Sequence, residues 1–385
     1  MLVEKISKRL HKLSLSMNDF TVNLAAYLGK DQILMVDTGW SMTAADVKEK
    51  VAELSDGIVK FIILTHNHAD HIGGIEALGE GATIIAHKKA RDGLAGKYFA
   101  LDPLPGPDLP MILLESETGL NFYGEEIKII PAPGHTDNDI VVHFINAGVV
   151  CLGDLVLADT LPPLDLSRGG SAEAYKRSLN QLIEQLPEDI KIITGHGRDY
   201  SMEDLKEHYQ MVVGTMDLIK AGIKAGKTAP EMVAEDLLKD WAKWSNDQVS
   251  SETWITQVCD CLSGQVEKSI AEVLSYTIME KGVQAAIKQY EKLKKDQPDG
   301  YNFGENELNM LGYQLIWREM NDEAIEVYKL NIQAFPDSAN PYDSLGEAYQ
   351  SLGQRDLAID NFEKALVINP MMDSAIEALE KLKSA

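Results

Sequence analysis

The stretch Thr65-His66-Asn67-His68-Ala69-Asp70-His71-Ile72-Gly73-Gly74 decides how this chain reads. It closes the nearly continuous apolar run Ile58–Thr65, the pattern of a strand buried on both faces, and opens a helical stretch at Gly74–Leu78. A loop between strand and helix can turn several side chains into one small volume, because no ladder bonds constrain it there. His66, His68, Asp70 and His71 place three imidazoles and a carboxylate within six residues. Borderline divalent metals prefer these ligand types.

Three further strand ends carry the same chemistry. Pro133-Gly134-His135-Thr136 closes one strand, and Val149-Val-Cys-Leu-Gly153-Asp154 leaves a carboxylate just past another. Ile192-Ile-Thr-Gly195-His196-Gly197 holds an imidazole between two glycines, which permit tight turns and close backbone approach to an ion. His11, His143 and His208 have no companion motif and read as structural or surface groups. His87, at the end of Ala82–Ala86, reads as a neighbour of the site at most.

Working outward, residues 1–200 alternate two periodicities. Strands are expected at Val22–Leu28 and Gln32–Val36, joined through Gly29-Lys-Asp31 as a hairpin, then at Glu126–Ile130, Ile140–Ile145, Val149–Leu152 and Ile190–Thr194. Helices fall between them at Thr43–Leu54 and Ser171–Leu186. The mixture predicts a layered α/β domain. From Ser201 the pattern turns helical, with Leu205, Tyr209, Val212, Met216, Ile219 and Ile223 on one face. Thr228-Ala-Pro-Glu231 starts another helix with a capping box, and no strand signal follows.

The C-terminal part repeats itself. Gly312 and Gly346, Ala324 and Ala358, and Pro336 and Pro370 all recur with a period of 34. Small residues at such positions let paired helices approach, and large ones fill the seam. A looser copy precedes them at Ala286, Tyr290 and Pro298. Residues 267–385 therefore read as a helical repeat domain, with 201–266 as a helical linker between it and residues 1–200.

Composition narrows the partners. The 385 residues carry 36 basic against 60 acidic side chains, a net charge of −24. Such a surface repels phosphate backbones, and without a basic patch nucleic-acid binding is not expected. The longest apolar run, Ile140–Ala158, is broken by His143, Asn146 and Asp154, so no membrane span is expected. Cys151, Cys259 and Cys261 make no disulfide framework, which suits a reducing compartment. The start, Met1-Leu-Val-Glu-Lys-Ile-Ser-Lys, has no apolar core of signal-peptide length. A cytoplasmic location is favoured, with a periplasmic or secreted one open if a leader has been removed.

From Val3 to Tyr200 the chain resembles the metallo-β-lactamase superfamily, through His66-x-His68-x-Asp70-His71, His135, Asp154, His196 and the strand-end Asp37-Thr38-Gly39. That resemblance implies an αββα sandwich with a metal site along one edge. It implies that His66, His68 and His135 hold a first metal and Asp70, His71 and His196 a second, with Asp154 bridging. Asp37 would orient the metal loop from behind. The implied cofactor is two divalent ions, Zn²⁺ ahead of Fe or Mn. Residues 267–385 resemble tetratricopeptide repeats, which implies protein-partner binding. Two and a half repeats bury their faces only by stacking on a neighbour, so a homodimer or docking on the rest of the protein is expected.

The implied activity is hydrolysis of an ester, thioester, lactone or related bond of a small molecule by a hydroxide shared between two ions. Asp70 would orient that hydroxide and return a proton to the leaving group. Asp154 stands where the zinc β-lactamases that use a Cys ligand would carry that Cys, and antibiotic β-lactamases in general lack a bridging carboxylate. This disfavours β-lactam hydrolysis, which is kept only as an alternative main or side activity. The same fold also accommodates a mononuclear iron sulfur dioxygenase, and the repeats would suit an adaptor with an inert catalytic domain. His68 in place of Glu disfavours the flavodiiron branch. Two loops are expected near the groove: one with Pro103, Pro105, Pro107 and Pro110, and Leu155–Gly170, where Arg168 either meets an anionic substrate group or pins the loop.

Overall fold

A computed structural model describes residues 1–17, 20–92, 94, 110–246, 248–263, 268–298, 300–317 and 320–384. Pro103, Pro105 and Pro107 lie outside the described residues. Pro110 follows them, and its carbonyl accepts from Arg91 Nη1.

The chain opens with β1 (Leu2–Lys5), β2 (Leu10–Met17), β3 (Phe20–Leu28) and β4 (Gln32–Val36), antiparallel neighbours in sequence order. Next come α1 (Ala44–Leu54), β5 (Ile58–Ile63), α2 (Ala69–Ile72), α3 (Ile75–Leu78), β6 (Thr83–His87), α4 (Lys88–Asp92) and β7 (Ile112–Leu114). Strands β4 to β7 run parallel and complete a seven-stranded sheet. Strands β8 (Thr118–Phe122), β9 (Glu125–Pro131), β10 (Ile140–Phe144), β11 (Val149–Cys151) and β12 (Lys191–Ile193) form a second sheet in the order β12-β11-β10-β9-β8. Expected strands and helices coincide with these elements to within a residue or three. Strands β1, β2 and β8 are not evident in the sequence, because lysines, serines and a glycine dilute their alternation, and β7 is missed because it is only three residues long.

The two sheets share one core. Leu34, Val36, Ile63 and Ile85 from the first sheet cluster with Ile127, Ile129, Ile140, Val142 and Phe144 from the second. Ile33 and Met35, on the other face by the strand period of two, are also buried, as are Ala44, Val47 and Val51 of α1. The run Ile58–Thr65 departs from its expected burial: only its second half is buried, and Ile58 is 65% exposed. The register explains this, because β6 pairs from Phe61 onward and the start of β5 extends past it.

Helix α5 (Ala172–Gln185) is capped by Ser171, and α6 (Met202–Lys224) begins with a reciprocal Ser201–Asp204 capping box. The predicted Thr228–Glu231 box starts α7 (Ala229–Ala234), and α8 (Ser251–Ser263) follows. Their buried residues, among them Tyr175, Leu179, Leu205, Met216, Met232 and Trp254, share a core with Val141, Val150 and Ile192 of the second sheet. Residues 201–263 are therefore no linker. Their apolar face covers the outer side of that sheet and belongs to the first compact unit, which ends at Val266.

The second unit takes in Glu267–Ala385. Its helices are α9 (Ile270–Lys281), α10 (Val283–Asp296), α11 (Glu305–Trp317), α12 (Asn321–Ala334), α13 (Asn340–Ser351), α14 (Arg355–Ile368) and α15 (Asp373–Ser384). A two-residue parallel pairing of Lys268–Ser269 with Tyr301–Asn302 is the one strand feature here among the described residues, and no sequence pattern announces it. The helices share a single apolar core. The repeat shows in the packing: a β-carbon at Gly312 would strike the Tyr328 ring, and one at Gly346 would come within 2.8 Å of the Phe362 ring. No helix among the described residues is long and apolar enough to cross a membrane.

Candidate metal centre

Parallel pairing of β4 with β5 and of β11 with β12, and the turn from β9 into β10, bring the Asp37, Thr65, Asp154, His196 and His135 loops to one edge of the sandwich. Two bonds stitch the sheets together there: Ile140 N donates to Thr65 O at 2.8 Å, and Asn23 N donates to Gly195 O at 2.9 Å. The seven residues singled out as ligands meet at this edge in two groups. His66, His68, His135 and Asp154 form one, and Asp70, His71, His196 and Asp154 the other. Asp154 belongs to both.

Its two oxygens divide the work. Asp154 Oδ1 lies 3.0 Å from Nε2 of both His71 and His196, while Oδ2 lies 3.6 Å from His66 Nε2 and 3.7 Å from His135 Nε2. Asp70 Oδ2 completes the second group, 3.3 Å from His196 Nε2 and 3.5 Å from His71 Nε2. Only His68 and Asp70 of the seven are not fully buried, so the centre meets solvent on their side.

Each imidazole is oriented from behind. His68 Nε2 donates to Asp165 Oδ2 at 2.9 Å, His71 Nδ1 to Asp37 Oδ2 at 2.8 Å, His135 Nδ1 to Pro163 O at 2.6 Å and His196 Nδ1 to Thr21 O at 2.9 Å. Carboxylates and carbonyls only accept, so these nitrogens carry the protons. Thr65 Oγ1 donates to Asp37 Oδ2 at 2.8 Å, which leaves its lone pairs to accept from His66 Nδ1 at 3.1 Å. With the rings neutral, as metal ligation requires, all five inward nitrogens are therefore lone-pair atoms.

They face each other at short range, His68 Nδ1 3.0 Å from His135 Nε2 and His71 Nε2 3.4 Å from His196 Nε2. His66 Nε2 is buried with no hydrogen-bond partner. Acceptors crowded against acceptors repel unless a cation lies between them, and nitrogen–oxygen donor sets of this kind suit Zn²⁺ and related ions. The residues fit a pair of divalent metals.

Without a metal, protons take the place of the cation in the second group. Burial pushes His66 well below its usual value, whereas at His71 the carboxylates of Asp154, Asp70 and Asp37 overcome burial and push it well above. His196, again against burial, is raised to about 9, chiefly by Asp154. At Asp154 burial favours the neutral acid, but the imidazoles of His196, His71 and His66 hold it well below the carboxylate range. The second group is thus a pocket of negative potential that draws positive charge.

Asp37 supports both groups at once. It adopts φ 60°, uncommon for a non-glycine residue, and besides His71 it accepts from Thr65 N at 2.8 Å. Three supports carry no signature in the sequence. Asp139 caps the His135 loop by accepting from Gly134 N and Thr136 N, Asn23 Nδ2 donates to Thr194 O and Gly197 O around His196, and Asp165 holds His68. Arg168 pairs with Asp165, so it pins the loop. His87 belongs to neither group, and His208 lies buried against Tyr175 and Trp244.

The model of the metallo-beta-lactamase superfamily matches residues 18–196. An uncharacterized protein of Aquifex aeolicus (strain VF5) is 27% identical over 176 residues, 43% of this chain and 78% of that protein. The beta-lactamase-like protein 2 homolog of Drosophila melanogaster is 28% identical over 172 residues, 43% of this chain and 54% of that one. A hydroxyacylglutathione hydrolase of Cereibacter sphaeroides is 28% identical over 183 residues, 46% and 65% of the two chains. The match thus spans less than two thirds of the latter two relatives. Residues 18–196 carry a metallo-beta-lactamase superfamily domain, with the fold and side chains of a metallohydrolase.

Proposed function

We propose that the domain is a dinuclear metal-dependent hydrolase that cleaves an ester, thioester or lactone bond of a small molecule. The observation that carries the reading is Asp154, one oxygen toward each complete ligand group. Two divalent ions bound there, Zn²⁺ first in expectation, would bring the pKa of a shared water toward ~7 and stabilise charge on the reacting oxygens. The protein supplies the rest. His66, His68 and His135 fix the first position; His71 and His196 fix the second, each held in one tautomer from behind. Asp70, at the solvent side of the second group, is placed to accept a proton from the attacking water and pass it to the leaving group. The hydroxyacylglutathione hydrolases among the relatives support an acyl substrate.

The intact second group favours hydrolysis over iron dioxygenase chemistry, which needs only one ion. The 34-residue spacing of the Gly312–Tyr328 and Gly346–Phe362 seams supports a tetratricopeptide reading of the helical region, with a protein partner or a second copy as its occupant. The test is a substrate panel of lactone, thioester, phosphodiester, sulfate-ester and β-lactam compounds on metal-loaded protein, with O₂ uptake recorded. Turnover of thioester or lactone without O₂ uptake is expected. O₂ consumption by a one-iron form would overturn the reading.

A further inference from the structure

His68 differs from the other four imidazoles in the nitrogen by which it is held: Nε2, where the others are held at Nδ1. Its Nε2 is bound to Asp165, so its Nδ1 is the atom turned toward His135 and the first metal position. An imidazole turned over about its Cβ–Cγ bond would put the carbon Cδ2, not a nitrogen, toward the metal position. Something must fix the ring, and a carboxylate does so only if it is itself fixed.

Asp165 is tied to both sides of the first group. Its backbone N donates to His135 O at 2.8 Å, while its carboxylate holds His68. Ser171 N to Gly134 O and Asp137 N to Arg168 O, each 2.9 Å, clip the same turn to the His135 loop. The carboxylate is then saturated by local donors. Oδ1 accepts from Ser167 Oγ at 2.5 Å and Arg168 N at 3.1 Å; Oδ2, the oxygen that holds His68, also accepts from Arg168 Nη1. Among the described residues Arg168 is the one lysine or arginine bonded to Asp165, and its guanidinium Nε is buried with no hydrogen-bond partner. Asp37, which plays the equivalent part for His71, is held by Thr65 and has no lysine or arginine bonded to it among the described residues.

We propose that Arg168 is a positioning residue for the first metal position: by clamping Asp165 it makes His68 present Nδ1 to the ion. This rests on the dinuclear reading above. Without the clamp Asp165 can turn to solvent, His68 loses its orienting acceptor, and one of three nitrogen ligands of the first position is no longer preformed. The second position, oriented through Asp37 and Thr21, is untouched. A lysine keeps the charge but not the planar fork, so it restores the clamp only in part.

The experiment compares the wild-type chain with Arg168→Gln and Arg168→Lys. Metal affinity is read by chelator competition, ligand geometry by the visible spectrum of the Co²⁺-loaded protein, and turnover by kcat and KM. Arg168→Gln should weaken one of the two ions by about 10- to 100-fold and alter its Co²⁺ spectrum, with the other ion retained and kcat falling more than KM rises. Arg168→Lys should fall between. Wild-type affinity and spectrum in Arg168→Gln would overturn the proposal, as would a raised KM with metal binding intact, which would assign Arg168 to substrate. If circular dichroism shows Arg168→Gln unfolded, Arg168→Lys decides by the same criteria. A wild-type protein that binds no metal breaks the dinuclear reading instead.

Discussion

Gly195 stands directly behind Asp154: a β-carbon there would collide with Asp154 Oδ1 and lie 2.6 and 2.7 Å from the Gly153 backbone. No side chain but hydrogen fits, because the backbone before His196 packs on the carboxylate shared by the two groups. Gly195→Ala should push Asp154 from its place, cost about 1–3 kcal/mol of stability and lower occupancy of both metal positions. Thermal unfolding with elemental analysis checks this; an unchanged Tm and metal content would refute the contact.

Metal content is the second prediction. Gentle purification with metal supplied should give two divalent ions per chain, because the seven side chains offer two groups that share Asp154. Dialysis against a chelator should abolish turnover, and added Zn²⁺ should restore it. One ion per chain at saturation would be inconsistent with the shared carboxylate.

Asp154→Ala separates the roles of the groups. It removes an oxygen from each, but leaves the first position with His66, His68 and His135. Turnover should drop by about 10²-fold or more, an order of magnitude set by the loss of several kcal/mol of transition-state stabilisation. First-position affinity should change far less. Parent-rate turnover in the variant would sink the bridging assignment.

The pH dependence of stability has an identifiable contributor outside the ligand set. Burial pushes His208 down to about 3, and Tyr175 Oη lies 3.1 Å from its Nε2. The folded form keeps this ring neutral, while the unfolded chain binds a proton below about 6.5. The unfolded state therefore holds more protons, and stability is lost as pH falls from about 6.5 toward 3, by ~2 kcal/mol at pH 5. His208→Gln removes that titration. Denaturant midpoints at pH 7 and pH 5 should differ less in the variant than in the parent; an equal gap would show that His208 is not the group.

The helical unit gives the fifth prediction. Gly312→Ala and Gly346→Ala each force a methyl against an aromatic ring, Tyr328 in one repeat and Phe362 in the next. Each should lower the stability of that unit by about 1–3 kcal/mol and leave metal content unchanged. If one variant were neutral by hydrogen exchange or thermal unfolding, the two seams would not be equivalent.

Sequence alone was enough where the information is local. Six residues from His66 to His71 supply four ligands because chain reversal after one strand suffices to gather them, and glycines beside His135, Asp154 and His196 mark the other loop ends. Helix starts at Ser201 and Thr228 were legible for the same reason, since a capping box closes within one turn. The 34-residue period was legible because each repeat is itself a local unit.

What the tertiary structure decided is what depends on acceptors far along the chain. Thr21 for His196, Asp37 for His71, Pro163 for His135 and Asp165 for His68 come from strand and loop positions that approach only when the strands pair and the sheets pack. Nothing in the spacing around Asp165 or Asp139 distinguishes a ligand-orienting carboxylate from a solvated one. The same holds for residues 201–263, whose apolar face was plain in the sequence while its partner, the outer side of the second sheet, was not. The sequence therefore determined which atoms can bind metal. The packing of the two sheets determined which nitrogen of each imidazole faces inward, because that choice belongs to the partner behind the ring.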